Sequence, residues 1–322
     1  MKYTVLTFIL LLFFFPLSAL PQNKPEKVSR DQLKTWQKEV SNWGRWGKED
    51  QKGSLNLITA EKKVAAAALV QEGVSVSLAY PLSKEENINN GDPLIHQLGT
   101  SGQWAGDTYT INYHGYAHSH IDALCHIAGD ELLYNGFPAD SRKANGAEKL
   151  GIQQMSEGIF SRGILVDIPW LKELDYLEPG TPILASDLDA WEKKSGIKVE
   201  SGDILLIRTG KLACEKQRGP WKYSENAAGL HASAVSWLRE RDIAVLGSDG
   251  ASDLFPSGVE GQSHPVHLLV LHSMGTPILD NLNLEDLLME AKKQNRWAFL
   301  FTAAPLRIEG GTGSPLNPIA IF

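Results

Sequence analysis

Cysteine is scarce in this chain of 322 residues, which contains only Cys125 and Cys214. At most one disulfide can form, so the fold cannot depend on a disulfide framework, even in an oxidising compartment. We expect both thiols to be free. Nothing near Cys125 on its side of the segment would lower its pKa, so a buried thiol is favoured there over a zinc ligand or a nucleophile.

Runs of positive charge are also missing. The formal net charge is -7 at pH 7, and lysine and arginine form no stripe along the chain. This argues against binding to nucleic acid or to an anionic membrane surface. No stretch beyond the N-terminal segment is apolar enough to cross a bilayer. A small-molecule substrate is therefore the expected partner, and we also expect a homo-oligomer.

Several common signatures of catalysis are absent from the sequence. It contains no Gly-x-Ser-x-Gly, no His-Glu-x-x-His, no Cys-x-x-Cys and no Gly-x-x-x-x-Gly-Lys. These absences exclude the usual serine hydrolase elbow, the helical zinc protease motif, the paired-cysteine redox or zinc motif and the phosphate loop.

The N-terminus has the pattern of a signal peptide. Lys2 precedes the apolar run Val5–Leu12, which continues through three phenylalanines and fades at Pro16 and Ala19. The run is shorter than the roughly 20 apolar residues that a membrane span needs, so cleavage is favoured over an uncleaved anchor. We assign residues 1–22 to the signal peptide and expect the mature protein to be exported to the periplasm or the extracellular space.

The rest of the chain has the pattern of a mixed α/β protein. Residues 23–41 form a polar lead-in, and residues 42–322 form a single domain without a linker that would divide it. A helix is predicted over 60–72 with Thr59 as its N-cap. Further helices are predicted after a capping box at Ser186 and Asp189 that Gly196 closes, and over 284–293 after Asn283. Apolar runs predict strands at 74–78, 163–168, 203–208, 243–246 and 297–301.

The segment Tyr113–His126 carries the chemistry, because it holds four of the nine histidines of the chain within thirteen positions. On a strand, His118, His120 and Asp122 would point to the same side, where their heads could converge on one metal ion. The other side would carry small or apolar residues. The spacing therefore predicts a metal site rather than solvated histidines. His114 and Tyr116 would point to the same side of such a strand, but each is more typical of a hydrogen-bonded wall residue than of a ligand.

At these residues the chain resembles the cyclase-like metal-dependent hydrolases, which include bacterial kynurenine formamidase, isatin hydrolase and a dienelactone hydrolase. Their pattern is His-x-Gly-Thr-His-x-Asp-x-Pro-x-His, and His120, Asp122 and His126 match it. The resemblance extends over about residues 42–310. It implies a swivelling β/β/α fold, a mixed sheet with flanking helices. It also implies that His126 transfers protons, and that His267 and Asp280, thirteen residues apart, join the metal site; His264 and His272 fit that step less well.

The chain departs from the family pattern at four positions. Tyr116 stands at its first His, His118 at its Gly and Leu124 at its Pro, and the late Glu is Asp280. A site with two metal ions is thereby put in doubt. One resolution is that His118 replaces the lost ligand from a neighbouring position on the strand, which would leave a single-metal site.

The resemblance implies hydrolysis of a small amide, lactam, ester or lactone by metal-activated water. The His-rich ligand set favours zinc, with manganese as the alternative. Tyr116 and Trp46, with Trp43 and Trp104, are candidates for a substrate-binding wall, although core packing is equally plausible for the tryptophans. Two other functions stay open: a metal-dependent cyclase or dehydratase, and a binding protein without turnover. His126 argues against the binding protein, since a pure binder does not need it.

The signal peptide generates the first testable prediction. The exported protein is expected to begin between about residues 20 and 25, because the small residues near Ala19 provide the cleavage site. Intact-mass measurement of the exported protein checks this, and a mass that includes Met1 would contradict it.

Overall fold

The computed structural model describes residues 27–322, so the predicted signal peptide lies outside the described residues. Its main feature is a mixed sheet of nine strands in the order β1-β15-β13-β7-β9-β11-β12-β4-β14. In chain order the strands are β1 (Ser75–Ser77), β2 (Ile95–Ser101), β3 (Trp104–Thr110), β4 (His120–Asp122), β5 (Arg142–Lys143), β6 (Gly146–Ala147), β7 (Ile159–Asp167), β8 (Pro182–Ile183), β9 (Ile204–Arg208), β10 (Gly229–Leu230), β11 (Val245–Ser248), β12 (Ile278–Asp280), β13 (Ala298–Ala303), β14 (Gly313–Pro315) and β15 (Ile319–Ile321).

The centre of the sheet is parallel and buried. β7, β9, β11 and β12 run parallel to one another, whereas the strands on both sides pair antiparallel. Every residue of β9 and β11 is buried. A strand covered on both faces has no polar face, which is why these segments read as continuous apolar runs rather than as alternating ones.

Helices flank this sheet, as the sequence predicts. They are α1 (Arg30–Glu39), α2 (Ala60–Ala67), α3 (Ile168–Lys172), α4 (Ala185–Ser195), α5 (Lys211–Arg218), α6 (Val235–Glu240), α7 (Pro265–His267) and α8 (Leu284–Gln294). α7 continues directly into a π-helix at Leu268–Met274. Within the described part of the chain, no helix is both long enough and apolar enough to span a membrane.

Thr59, Gly196 and Asn283 lie at the helix boundaries predicted for them. The Thr59 side chain accepts a hydrogen bond from Lys62 N at the start of α2, and Gly196 ends α4 in the left-handed conformation. The capping box at Ser186 and Asp189 is wrong, because Leu184 is the N-cap of α4 and Asp187 Oδ2 accepts from its N–H.

One further boundary and one whole helix differ from the prediction. α2 ends at Ala67, so the helix predicted to run to residue 72 is shorter. The polar lead-in contains α1, which buries a single apolar side chain, Leu33, and was missed for that reason.

β2 and β3 form a hairpin that is not part of the nine-stranded sheet. Nearly all of its residues are exposed. Its exposed large side chains are Ile95, Leu98, Trp104 and Tyr109.

A buried carboxylate on α4 provides a test of the fold. Glu192 accepts hydrogen bonds from Lys198 Nζ at 2.8 Å, Val199 N at 3.0 Å and Arg241 Nε at 3.2 Å. Burial alone would raise its pKa, but these partners lower it from 4.5 to about 2. Glu192→Gln is expected to lower the free energy of unfolding by about 1.5–3 kcal/mol at pH 7, since it removes charge-assisted hydrogen bonds.

This stabilisation requires the charged carboxylate, so it is complete above the unfolded pKa of 4.5 and is lost as the pH falls towards 2. Urea unfolding of wild type and Glu192→Gln at several pH values should therefore show a difference that shrinks below about pH 4.5. Glu240→Gln is the matched control, because Glu240 is exposed and lies 3.6 Å from Arg241. An equal effect of both substitutions would contradict the assignment.

Candidate metal centre

The site is built on β4, which lies between β12 and β14 in the sheet. In the antiparallel register, His120 faces Asp280 and Asp122 faces Ile278. Directly opposed residues of an antiparallel pair point to the same face, and so do alternate residues along one strand. His120, Asp122 and Asp280 therefore share a face, while Ile121 and Leu279 are buried on the other. The predicted alternation holds for His120 and Asp122.

Asp122 is the centre of the arrangement. Its Oδ1 lies 3.1 Å from His114 Nδ1 and 3.5 Å from His120 Nε2. Its Oδ2 lies 3.6 Å from His267 Nε2 and 3.9 Å from His126 Nε2. One buried carboxylate thus faces four imidazoles, two at each oxygen.

The ligand atoms form two groups that share Asp122. One consists of His114, Asp122 and His126, and the other of His120, Asp122 and Asp280; within each group the candidate ligand atoms lie within 4.8 Å of one another. Asp122 Oδ1, Asp280 Oδ1 and His114 Nδ1 are buried and have no hydrogen-bond partner among the described residues. The short approach of His114 to Asp122 is therefore not a hydrogen bond. Unpaired buried donors and acceptors are costly, and a cation between them would satisfy them.

His267 reaches this cluster from α7. Its Nε2 lies 3.2 Å from Asp280 Oδ2, and its Nδ1 lies 2.5 Å from Asp253 Oδ2. Asp253 also accepts from the backbone N–H groups of Val266 and His267, which fixes the start of the helix. The structure thus brings together His267, Asp280 and Asp122, although 145 residues separate His267 from Asp122.

Asp253 is the residue that the sequence analysis missed. It follows β11 within Ser252-Asp253-Leu254, and no histidine or repeated spacing near it marks it as part of a site. A carboxylate that holds the far nitrogen of a ligating histidine is a recurrent feature of metal sites.

The carboxylates and imidazoles of the cluster shift one another's pKa values. Burial opposes the charged form of His267, but the carboxylates of Asp280, Asp122 and Asp253 outweigh it and raise the pKa of His267 well above its usual value. Burial likewise raises the pKa of Asp122, yet the histidines around it, led by His126, hold it well below the usual range. Burial lowers the pKa of His126 to about 4.

The structure corrects the alternation argument for His118. β4 begins at His120, so His118 lies in the preceding bend and belongs to neither group of candidate ligands. It is buried, and neither of its ring nitrogens has a hydrogen-bond partner among the described residues. Its contribution to the site is its carbonyl, which lies 2.8 Å from His120 Nδ1. A carbonyl can only accept, so Nδ1 carries the proton and Nε2 of His120 is free to bind a cation.

His114 takes the place at the cluster that the sequence analysis gave to His118. Its Nε2 lies 3.0 Å from Thr312 Oγ1, and its ring stacks on His126 with centroids 4.1 Å apart. Gly313 permits this approach, since a Cβ there would lie 2.4 Å from Ile121 O and 3.1 Å from His114 Cε1. Strand alternation could not have identified His114, because it lies in the loop before β4.

A cavity of about 350 Å³ opens onto the cluster. Tyr116 lines it, and its hydroxyl lies 3.2 Å from His264 Nε2. Trp46 does not line it; its ring lies under the guanidinium of Arg45, at 4.8 Å. Trp104 is on the exposed hairpin, and Trp43 donates to the carbonyl of His272. The positions of the tryptophans therefore do not support a substrate wall made from them.

Cys125 and Cys214 are both free and buried. Burial raises the pKa of the Cys125 thiol to about 11, and its Sγ points to Gly311 O. A raised pKa makes a thiol a poor nucleophile and a poor metal ligand, and the expectation that both thiols are free and that Cys125 is buried is confirmed.

Comparison with protein families gives a match to the Cyclase model, described as "Putative cyclase", over residues 76–252. This region includes His114, His120, Asp122 and His126, whereas His267 and Asp280 lie beyond it. The chain belongs to the cyclase family. A crystal structure of a novel cyclase is 33% identical to it, with a TM-score of 0.80, and the match covers 88% of this chain and 99% of that one. The resemblance inferred from the motif around Asp122 is confirmed, as is the mixed α/β fold.

More distant structures share the fold. Isatin hydrolase A from Labrenzia aggregata, solved with benzyl benzoate, is 19% identical with a TM-score of 0.56, and the match covers 81% of this chain and 98% of that one. Isatin hydrolase A from Ralstonia solanacearum is 21% identical with a TM-score of 0.56, and the match covers 81% and 97%. A search of curated proteins gives no match.

The geometry predicts graded effects on metal binding. His267→Ala should lose most of its bound metal, since it removes an imidazole between two carboxylates. Asp280→Asn keeps the shape of the side chain but removes its charge, and should weaken binding less. Asp253→Asn should weaken binding by about 10- to 100-fold, the range for partners of metal-ligating histidines.

Elemental analysis after dialysis and titration with Zn²⁺ and Mn²⁺ measure these effects. His231→Ala is the control, because His231 is a buried histidine whose Nδ1 pairs with Ser233 and which is outside both ligand groups. A folded His267→Ala protein with the metal content of the wild type would show that His267 is only a core histidine.

Proposed function

We propose that this protein is a metal-dependent hydrolase that cleaves a small amide, lactam, ester or lactone. The observation that carries the proposal is the buried carboxylate of Asp122 with an imidazole pair at each oxygen, at the end of a cavity that a small molecule can enter. A structural histidine cluster would pair its ring nitrogens and carboxylate oxygens with each other, whereas here several remain unpaired among the described residues.

The donor set fits a divalent ion of borderline softness. His120, Asp122 and Asp280 would hold it, with His267 approaching both carboxylates. This mixed set of imidazole and carboxylate ligands makes zinc the first candidate and manganese the second. Such an ion supplies a Lewis acid that polarises a carbonyl and lowers the pKa of water to about 7. The second group, at His114 and His126, offers room for another ion.

His126 is the proposed proton-transfer residue. Its side chain is 30% exposed, in contrast to the 2% of His120, so it can reach both the cluster and a substrate in the cavity. The stacked ring of His114 fixes its plane. From this position it can take a proton from water and deliver it to the leaving nitrogen or oxygen.

Tyr116 and His264 line the cavity beside the cluster. Their hydrogen bond holds a hydroxyl and an imidazole at the wall of the cavity, beside the position that a substrate carbonyl or ring nitrogen would take. This polar pair next to Ile127 and Ala251 suits a small, partly apolar substrate.

The related folds support the class of bond. The names of the isatin hydrolases state hydrolysis, and isatin is a cyclic amide, but their low identity leaves the substrate of this chain open. A cyclase or dehydratase is the alternative, since polarising a carbonyl also assists elimination.

Isotope incorporation separates these reactions. The metal-loaded protein is incubated with N-formyl anilines, cyclic amides such as isatin, and aromatic lactones in oxygen-18 water, and the products are analysed by mass spectrometry. A hydrolase places one labelled oxygen in the acid product. Turnover with loss of water and no label would replace hydrolysis by elimination, and metal binding without turnover of any substrate would favour the binding protein.

The role of His126 has its own test. His126→Ala should retain its metal and lose at least about 10²-fold in kcat, the usual contribution of general acid–base catalysis. Elemental analysis and steady-state kinetics measure the two properties on the same sample. His96→Ala, a substitution on the exposed hairpin, is the control. Parallel loss of metal and activity would instead make His126 a ligand of the second group.

A further inference from the structure

A second cavity, distinct from the metal centre, lies beyond the carboxyl ends of β7 and β9. Its volume is about 530 Å³, within the usual range for small-molecule sites. Side chains of α3, α5 and α8 and the segment 174–176 surround it. None of its lining residues belongs to the cavity at Asp122.

The floor of this cavity is a buried charge network with an excess of carboxylate. Arg208 donates to Asp167 Oδ1 at 2.9 Å and to both oxygens of Glu285 at 3.0 Å. Two carboxylates thus share one guanidinium, which leaves one negative charge. Burial, the leading cause, raises the pKa of both Asp167 and Glu285.

Asp167 has an unused acceptor at this floor. Its side chain is 1% exposed, and its Oδ1 serves both Arg208 and the N–H of Trp170. Its Oδ2 has no partner among the described residues, although Asp167 lines the cavity. A buried carboxylate oxygen without a donor is costly, so a donor supplied by a ligand would be strongly favoured.

The mouth of the cavity has an excess of positive charge. Lys216 on α5 and Lys292 on α8 line it and are exposed, and neither pairs with a carboxylate in residues 27–322, whereas Asp175 is the one exposed carboxylate of the lining. The apolar part of the lining includes Trp170, Leu174 and Leu288, beside Tyr176 and Gln217.

We propose that this cavity is a binding site for a small zwitterion, with an ammonium group that donates to Asp167 at the floor and a carboxylate that meets Lys216 and Lys292 at the mouth. The excess negative charge below and the unpaired lysines above select both ends of such a molecule, and the apolar wall accommodates the carbon chain between them. This site is independent of the proposed hydrolase reaction.

The probes are ω-amino acids from 4-aminobutanoate to 8-aminooctanoate, measured by titration calorimetry with the full mature chain. Hexanoate and hexylammonium each carry only one of the two end groups. At least one member of the series should bind at least about tenfold more tightly than either, since each charged end contributes a charge-assisted hydrogen bond. No binding across the series, or equal binding of hexylammonium, would overturn the proposal.

Variants locate the site. Ala213→Trp fills the cavity from α5 and should abolish binding while leaving metal content and unfolding unchanged. Asp167→Asn keeps the cap of α3 but removes the charge, and should weaken binding at least about tenfold. Lys216→Gln combined with Lys292→Gln should reduce the preference for the amino acid over hexylammonium, whereas Lys293→Gln, the adjacent exposed lysine, should not. Binding that survives Ala213→Trp would place the ligand elsewhere and refute the site.

Discussion

The whole centre depends on one buried carboxylate. Asp122 is 1% exposed and can remain charged there only because imidazoles surround it. Three of them, His114, His120 and His126, come from its own segment of the chain, and the fourth, His267, comes from 145 residues beyond it. An unpaired charge at this depth would be too costly for the fold. The position of each histidine is therefore a condition for burying Asp122, and burying Asp122 is what places a candidate metal ligand at the end of a cavity.

Strand pairing makes this arrangement rigid. β4 has only three residues, but it is paired on both sides, and the registers with β12 and β14 leave no freedom to slip. A shift by one residue would turn Asp122 to the apolar face and Ile121 to the cluster. Asn281 adds a further restraint, because its side chain donates to the carbonyls of Gly115 and His118 and so fixes the loop before the strand.

The sequence predicts the part of the site that is local. His120 and Asp122 obey strand alternation, and the buried parallel strands follow from their apolar runs. His118 fails because alternation applies only within a strand, and nothing in the residues themselves marks His120 as its first member. Whether His114 is a wall residue or a ligand depends on the path of the loop at 112–119, which the hydrogen bonds of Asn281 and the stacking on His126 determine.

The non-local part of the site required more than pattern. His267 and Asp280 could be predicted only through the family resemblance, because no periodicity connects them with residue 122. Asp253 could not be predicted at all, since a single aspartate in a loop has no distinguishing spacing. In the same way, the charge network of Arg208 joins the ends of two strands to α8, and only the fold shows that Asp167 and Glu285 share one guanidinium.

The order of strands in the sheet has a consequence for biosynthesis. β4 is bounded on one side by β14, and β1 pairs with β15, so residues 313–321 complete both regions of the sheet. A nascent chain still attached to the ribosome at residue 300 would have made every candidate ligand but would lack the strand that covers β4. The centre can therefore be completed only after residues 313–315 have emerged and can pair with β4.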